Sequence, residues 1–118
     1  MRASIDNIDN IDNTVICMYR PRADARDDLL ELIRRHRAAC TELGLVTDRP
    51  EEVYVGGDQD GSGPLIVSMF QWVDAEAVRR AHQHPQIGAI WEQMETLVED
   101  RPMGPGMAFP HFSVKETL

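Results

Sequence analysis

The alternation of apolar and polar positions divides the chain into short strands and two helical segments. Residues 14–20, TVICMYR, are β-branched and apolar, with Val15, Cys17 and Tyr19 on one face and Ile16 and Met18 on the other. Apolar residues on both faces predict a strand covered on both sides. Pro21 ends it, because proline cannot donate to a ladder. Leu29, Leu32, Ile33, Cys40 and Leu43 then recur at helical spacing. Asp24 is the expected N-cap of this helix, Asp27 and Asp28 suit the positive end of its dipole, and Gly44 is the expected residue just past its end.

Residues 45–47 and 52–56 predict a second strand, broken at Asp48-Arg49-Pro50, and the glycine- and aspartate-rich run 56–63 predicts a hairpin loop. That loop lacks the phosphate-cradling pattern GxxxxGK[ST] and leads into a strand, so it carries no nucleotide-binding signal. Residues 65–72 form the third strand, with Leu65, Val67, Met69 and Gln71 on one face and Ile66, Ser68, Phe70 and Trp72 on the other. Asp74 is placed to cap a short helix. Pro85 forces a break at His84, because the residue before proline avoids the helical region, and proline then suits the first turn of the next helix. Ile87, Ile90, Trp91, Met94, Leu97 and Val98 give that helix one continuous apolar face, and Arg101-Pro102 ends it. Residues 108–115 predict a fourth strand, bulged at Pro110.

The order β-α-β-β-α-β predicts an α+β, ferredoxin-like domain over residues 14–118: an antiparallel four-stranded sheet with its helices on one face. Residues 1–13, with their threefold IDN repeat, fit neither a helical nor a strand period and read as a flexible N-terminal tail. The other face of the sheet is apolar, and the chain has no helix left to cover it. A second copy of the same sheet is the simplest cover, so a homodimer paired through that face is expected.

Charge removes some function classes. The net charge is −8, from 12 basic and 20 acidic side chains, and the only lysine is Lys115, so nucleic acid is not an expected partner. The arginines at 34, 35 and 37 and at 79 and 80 share helices with acids and read as solvated faces. No apolar run reaches the roughly 20 residues of a membrane span, and no secretory leader is visible. The two cysteines, Cys17 and Cys40, lie on apolar stripes without a CxxC spacing, which fits reduced thiols and a cytoplasmic setting. His36 and Cys40 stand four residues apart on one helix face, a spacing able to hold two metal ligands. No further ligand is near in sequence, so His36 is expected to be a packed histidine and no metal site is expected.

The string Phe70-Gln71-Trp72, Asp74-Ala75-Glu76-Ala77, Ala81-His82-Gln83-His84-Pro85 and Ile90-Trp91-Glu92 resembles the dimeric α/β-barrel superfamily, and most closely its antibiotic-biosynthesis-monooxygenase-like members. The resemblance spans about residues 14–115. It implies a homodimer, no cofactor, and a pocket between the second helical segment and the sheet. It also implies a cofactor-independent monooxygenase acting on a small aromatic or polyketide-type substrate, or else a non-catalytic small-molecule-binding or accessory homodimer of the same fold. The haem-degrading branch is disfavoured: Asn13 stands near its strand asparagine, but Ala81 and Trp91 fall where it carries a tryptophan and a histidine. On this resemblance His84 and His111 are the candidate proton acceptors, and Tyr19, Tyr54, Trp72, His82 and Trp91 the candidate substrate contacts. For each a plainer role exists. His84 suits a helix cap, and tryptophans on inward stripes are usually core.

Overall fold

The computed structural model describes residues 11–118. The elements in order are β1 (Thr14–Tyr19), α1 (Arg26–Glu42), β2 (Glu52–Gly57), β3 (Pro64–Gln71), α2 (Ala77–Gln83), α3 (Pro85–Glu95), β4 (Met107–Ala108) and β5 (His111–Phe112). The sheet runs β2-β3-β1-β4, with β5 also paired to β1, and all pairings are antiparallel. This is the ferredoxin-like arrangement.

The register decides which faces are covered. Cys17 stands opposite Ser68 and Val15 opposite Phe70, so the β1 and β3 side chains alternate together. Val15, Cys17, Tyr19, Ile66, Ser68, Phe70 and Trp72 are buried under the helices, while Ile16, Met18, Leu65, Val67 and Met69 on the other face are half-buried. From the helix side, Leu29, Leu32, Ile33, Ile87, Ile90 and Met94 close the core. Burial of side chains of this size is worth about 1.5–3 kcal/mol each.

Four boundaries differ from the sequence pattern. Asp24 does not cap α1; the cap position is Ala25, which offers no side-chain acceptor. The far end of α1 is as expected: Gly44 has φ 70°, its N–H bonds Thr41 O, and Leu45 N–H bonds Cys40 O. The second helical segment stops at Glu95 rather than running through Val98. Leu97 O is taken by Arg22 N–H, and Val98 bridges to Pro21, so tertiary partners replace the last helical turn. The fourth strand is two pairs of residues and ends at Phe112, not Lys115. Pro110 splits it, yet its carbonyl still accepts from Ile16 N–H at 2.9 Å, which keeps β1 satisfied across the bulge. Asp74 does not hold the cap position of α2, which is Glu76; it accepts from Glu76 N–H at 2.9 Å, just ahead of the helix.

Most of the tail expected at residues 1–13 lies outside the described residues. Ile11, Asp12 and Asn13 form a turn bonded to β3: Trp72 N–H donates to Asn13 O and Gln71 Nε2 to Asp12 O, each at 3.0 Å. At the opposite end of the sheet, the hairpin loop after β2 supplies Asp58, buried between Arg20 and Arg101. Among the described residues, no helix is long and apolar enough to cross a membrane.

Candidate functional site

A cavity of about 220 Å³ lies between the sheet and the second helical segment. Its floor is the helix-facing row of the sheet: Val15, Cys17 and Tyr19 from β1, and Phe70 and Trp72 at the end of β3. Its walls are His36 from α1, Val78 and His82 from α2, and Trp91 and Glu95 from α3. Met107, Phe109 and His111 complete it. The break at His84-Pro85 matters here, because it lets α2 and α3 change direction and bring His82 and Trp91 ring to ring, with centroids 4.4 Å apart.

Of the seven candidate residues named from sequence, Tyr19, Trp72, His82, Trp91 and His111 line this cavity. Tyr54 does not. It stands opposite Val67 on the open sheet face, is 56% exposed, and donates to Glu52. Strand parity put it there, since β2 alternates with β3. His84 does not line it either. It is the N-cap of α3, and its Nδ1 accepts from Gln86 N–H at 3.3 Å. Of the two candidate proton acceptors, His111 lines the cavity and His84 does not. His36, expected from sequence as a packed histidine, is buried and also lines the cavity, which the sequence did not show. Its signal was present as a lone polar ring on an otherwise apolar helix stripe.

The site is mostly apolar and aromatic. Phe70 and Trp72 meet edge to face at 4.9 Å, and Tyr19 meets Phe109 the same way at 6.0 Å. Trp72 is 4% exposed, and its indole N–H has no hydrogen-bond partner among the described residues. An unmade bond on a buried donor costs about 1–3 kcal/mol, so such a group in a cavity wall calls for explanation. Burial pushes the Cys17 thiol up to about 12 and the Tyr19 phenol well above its ordinary value, so both stay protonated at neutral pH. Burial, aided by the Arg37 charge, lowers His36 to about 4, so its ring is neutral there. His111 is exposed, and its Nδ1 lies 2.9 Å from Phe109 O. A carbonyl only accepts, so this bond requires Nδ1–H, and in the neutral imidazole Nε2 then keeps its lone pair. Among the described residues, no group of three or more His, Cys, Asp or Glu is placed to hold a metal ion.

A wider depression of about 400 Å³ lies on the open sheet face, between Ile16, Met69, Phe112 and Val114. Among the described residues, no histidine lines it.

No family model matches the chain, and no curated protein matches it. Solved structures do. SnoaB, a cofactor-independent oxygenase from Streptomyces nogalater, is similar in a mutant form with a TM-score of 0.64 at 19% identity, covering 89% of this chain and 94% of that one. An antibiotic biosynthesis monooxygenase also gives a TM-score of 0.64, at 16% identity over 87% and 98% of the two chains. A dimeric ferredoxin-like protein of unknown function from Jannaschia gives 0.57 at 16% identity over 86% and 97%. The chain thus shares the ferredoxin-like fold of these antibiotic-biosynthesis-monooxygenase-like structures.

Proposed function

We propose that this protein is a cofactor-independent monooxygenase acting on a small hydroxylated aromatic bound between the sheet and the second helical segment, and that it works as a homodimer. The observation that carries the reading is an apolar, aromatic-lined cavity whose lining includes Trp72, a residue whose buried indole N–H has no partner among the described residues. A ligand oxygen placed there would satisfy it. A donor in a dry site also stabilises negative charge that develops on that oxygen.

The reaction that fits is oxidation of an activated ring CH2 to a carbonyl: CH2 + O2 gives C=O + H2O. The substrate loses one proton to form a carbanion, delocalised onto its oxygen beside Trp72. His111 Nε2, with its lone pair free, accepts that proton at the solvent side. The carbanion passes one electron to O2, and superoxide recombines at carbon as a hydroperoxide. Loss of water then leaves the carbonyl. Tyr19, Phe70 and Trp91 orient the ring and exclude water.

The homodimer rests on the open sheet face. Ile16, Met18, Leu65, Val67 and Met69 are half-buried there, beside exposed Tyr54 and Phe112. An apolar patch of this kind marks an interaction surface, and the Jannaschia protein of like fold is dimeric.

Oxygen uptake with a panel of hydroxynaphthalenes and other one- and two-ring hydroxyarenes, whose keto tautomers carry the ring CH2, tests the activity. Trp72→Phe should lower kcat about a hundredfold, as loss of one oxyanion donor does. Ligand binding without any oxygen uptake would make the protein a binder rather than an enzyme.

A further inference from the structure

We propose that His36 is a ligand-contacting residue of this cavity, hydrogen-bonding a hydroxyl at the ligand's inner end, and that the site therefore selects small uncharged hydroxyarenes of one or two fused rings. This rests on the cavity being the ligand site. It adds which molecules enter and what holds them at the α1 side.

Three observations carry it. First, His36 is 5% exposed and lines the cavity, yet the partner of its ring nitrogens is the Cys40 thiol, with Sγ at 3.7 Å from Nε2 and 3.9 Å from Nδ1. Thiols are weak donors and weak acceptors. An imidazole carries one N–H and one lone pair, so His36 has hydrogen-bonding capacity that the protein itself barely uses. Buried polar groups ordinarily find full partners. A ligand hydroxyl, which both donates and accepts, would supply one.

Second, the rings around His36 fix where such a hydroxyl would sit. His36 lies 5.9 Å from Phe70 and 5.8 Å from Trp91, centroid to centroid. A ligand reaching His36 therefore meets the Phe70 and Trp91 rings as well, which favours a flat aromatic one. At 220 Å³ the space falls below the about 300–1,000 Å³ of sites for drug-sized molecules, which limits it to one or two rings.

Third, the described lining contains no arginine or lysine, and Glu95 is its one carboxylate. A carboxylate or phosphate ligand would enter a mostly apolar site with no arginine or lysine to pair with it. His36 offers it none, since burial keeps the ring neutral at pH 7. The selected molecule is thus uncharged.

Calorimetric titration with 1-naphthol, naphthalene and 1-naphthoate tests this. Wild-type protein should bind 1-naphthol at least tenfold more tightly than naphthalene and should not bind 1-naphthoate. His36→Phe should abolish the preference for the hydroxyl and leave naphthalene affinity within about twofold. His36→Gln, which keeps a donor and an acceptor, should restore most of it. If the variants fail to fold, nitrogen-15 spectra of the wild-type His36 ring give the same answer. Its resonances should move on adding 1-naphthol and stay with naphthalene. Equal binding of 1-naphthol by wild type and His36→Phe, or a silent His36 ring, would overturn the role of His36 while leaving the cavity a ligand site. Failure of every naphthalene to bind would overturn the small-aromatic site and this inference with it.

Discussion

The imidazole of His36 lies 5.8 Å from the indole of Trp91, centroid to centroid and tilted by 33°, which places a titratable ring inside an aromatic core. That contact has a consequence for stability. Burial lowers the folded-state pKa of His36 from 6.5 to about 4, so between those values the unfolded chain holds the extra proton. Stability is complete above pH 6.5 and is lost as the pH falls through about 4, by roughly 3 kcal/mol in all. Glu51, whose pKa burial raises, acts with the opposite sign: its contribution is present below its ordinary pKa and is lost as the pH rises through the raised one. It is common to wild type and variant. The difference between urea unfolding of wild type and His36→Gln, followed from pH 7 to pH 4, should therefore show the His36 slope alone. A flat difference would mean the ring is already solvated.

Asp58 stands between two buried guanidinium groups, Arg20 at 3.1 Å and Arg101 at 3.0 Å. Arg20 also bonds Pro105 O and Met103 O, and Arg101 bonds Pro64 O and Pro21 O, so the cluster joins β1, the β2–β3 loop and the loop before β4. Asp58→Ala leaves both cations without their shared carboxylate and should cost about 3–5 kcal/mol. Gly63→Ala probes the same cluster from outside, because its Cβ would come within 2.6 Å of the Arg101 guanidinium carbon. Both should lower the denaturation midpoint, and neither residue lines the cavity.

Neighbouring residues of β3 should respond in opposite ways to a charge. Met69 is half-buried on the open face, while Phe70 is 3% exposed under the helices. Met69→Asp should give a folded monomer, and Phe70→Asp an unfolded chain. Sedimentation velocity with far-ultraviolet circular dichroism separates the two. A Met69→Asp protein that stayed dimeric would place the interface elsewhere.

His84→Ala removes the acceptor of Gln86 N–H at the start of α3. The expected cost is about 1 kcal/mol, typical of a lost N-cap, seen as a lower Tm. Affinity for 1-naphthol should be unchanged, since His84 is outside the cavity. A marked loss of affinity would return His84 to the site.

Much of this molecule follows from local rules. Period-two alternation in residues 14–20 and 65–72, helical spacing from Leu29 to Cys40, Gly44 at a left-handed position and the break before Pro85 all act through near neighbours. They specify elements whatever lies beyond. The element order specified the ferredoxin-like sheet, and the apolar residues on both faces of β1 and β3 called for cover on its open side as well.

Tertiary structure decided what no local rule contains. Whether Met69 or Phe70 faces the helices depends on the β1–β3 register, and that same parity sent Tyr54 to the open face. Val98 left its helix because Pro21 and Arg22 offered partners from far along the chain. His84 and His82 are two residues apart, yet the extended backbone at His84 leaves one capping a helix and turns the other onto Trp91. His36, far from Trp91 in sequence, meets it only because both helices pack on the same sheet face. A functional site is a convergence of distant residues, and sequence periodicity carries the face of each element but not which faces meet.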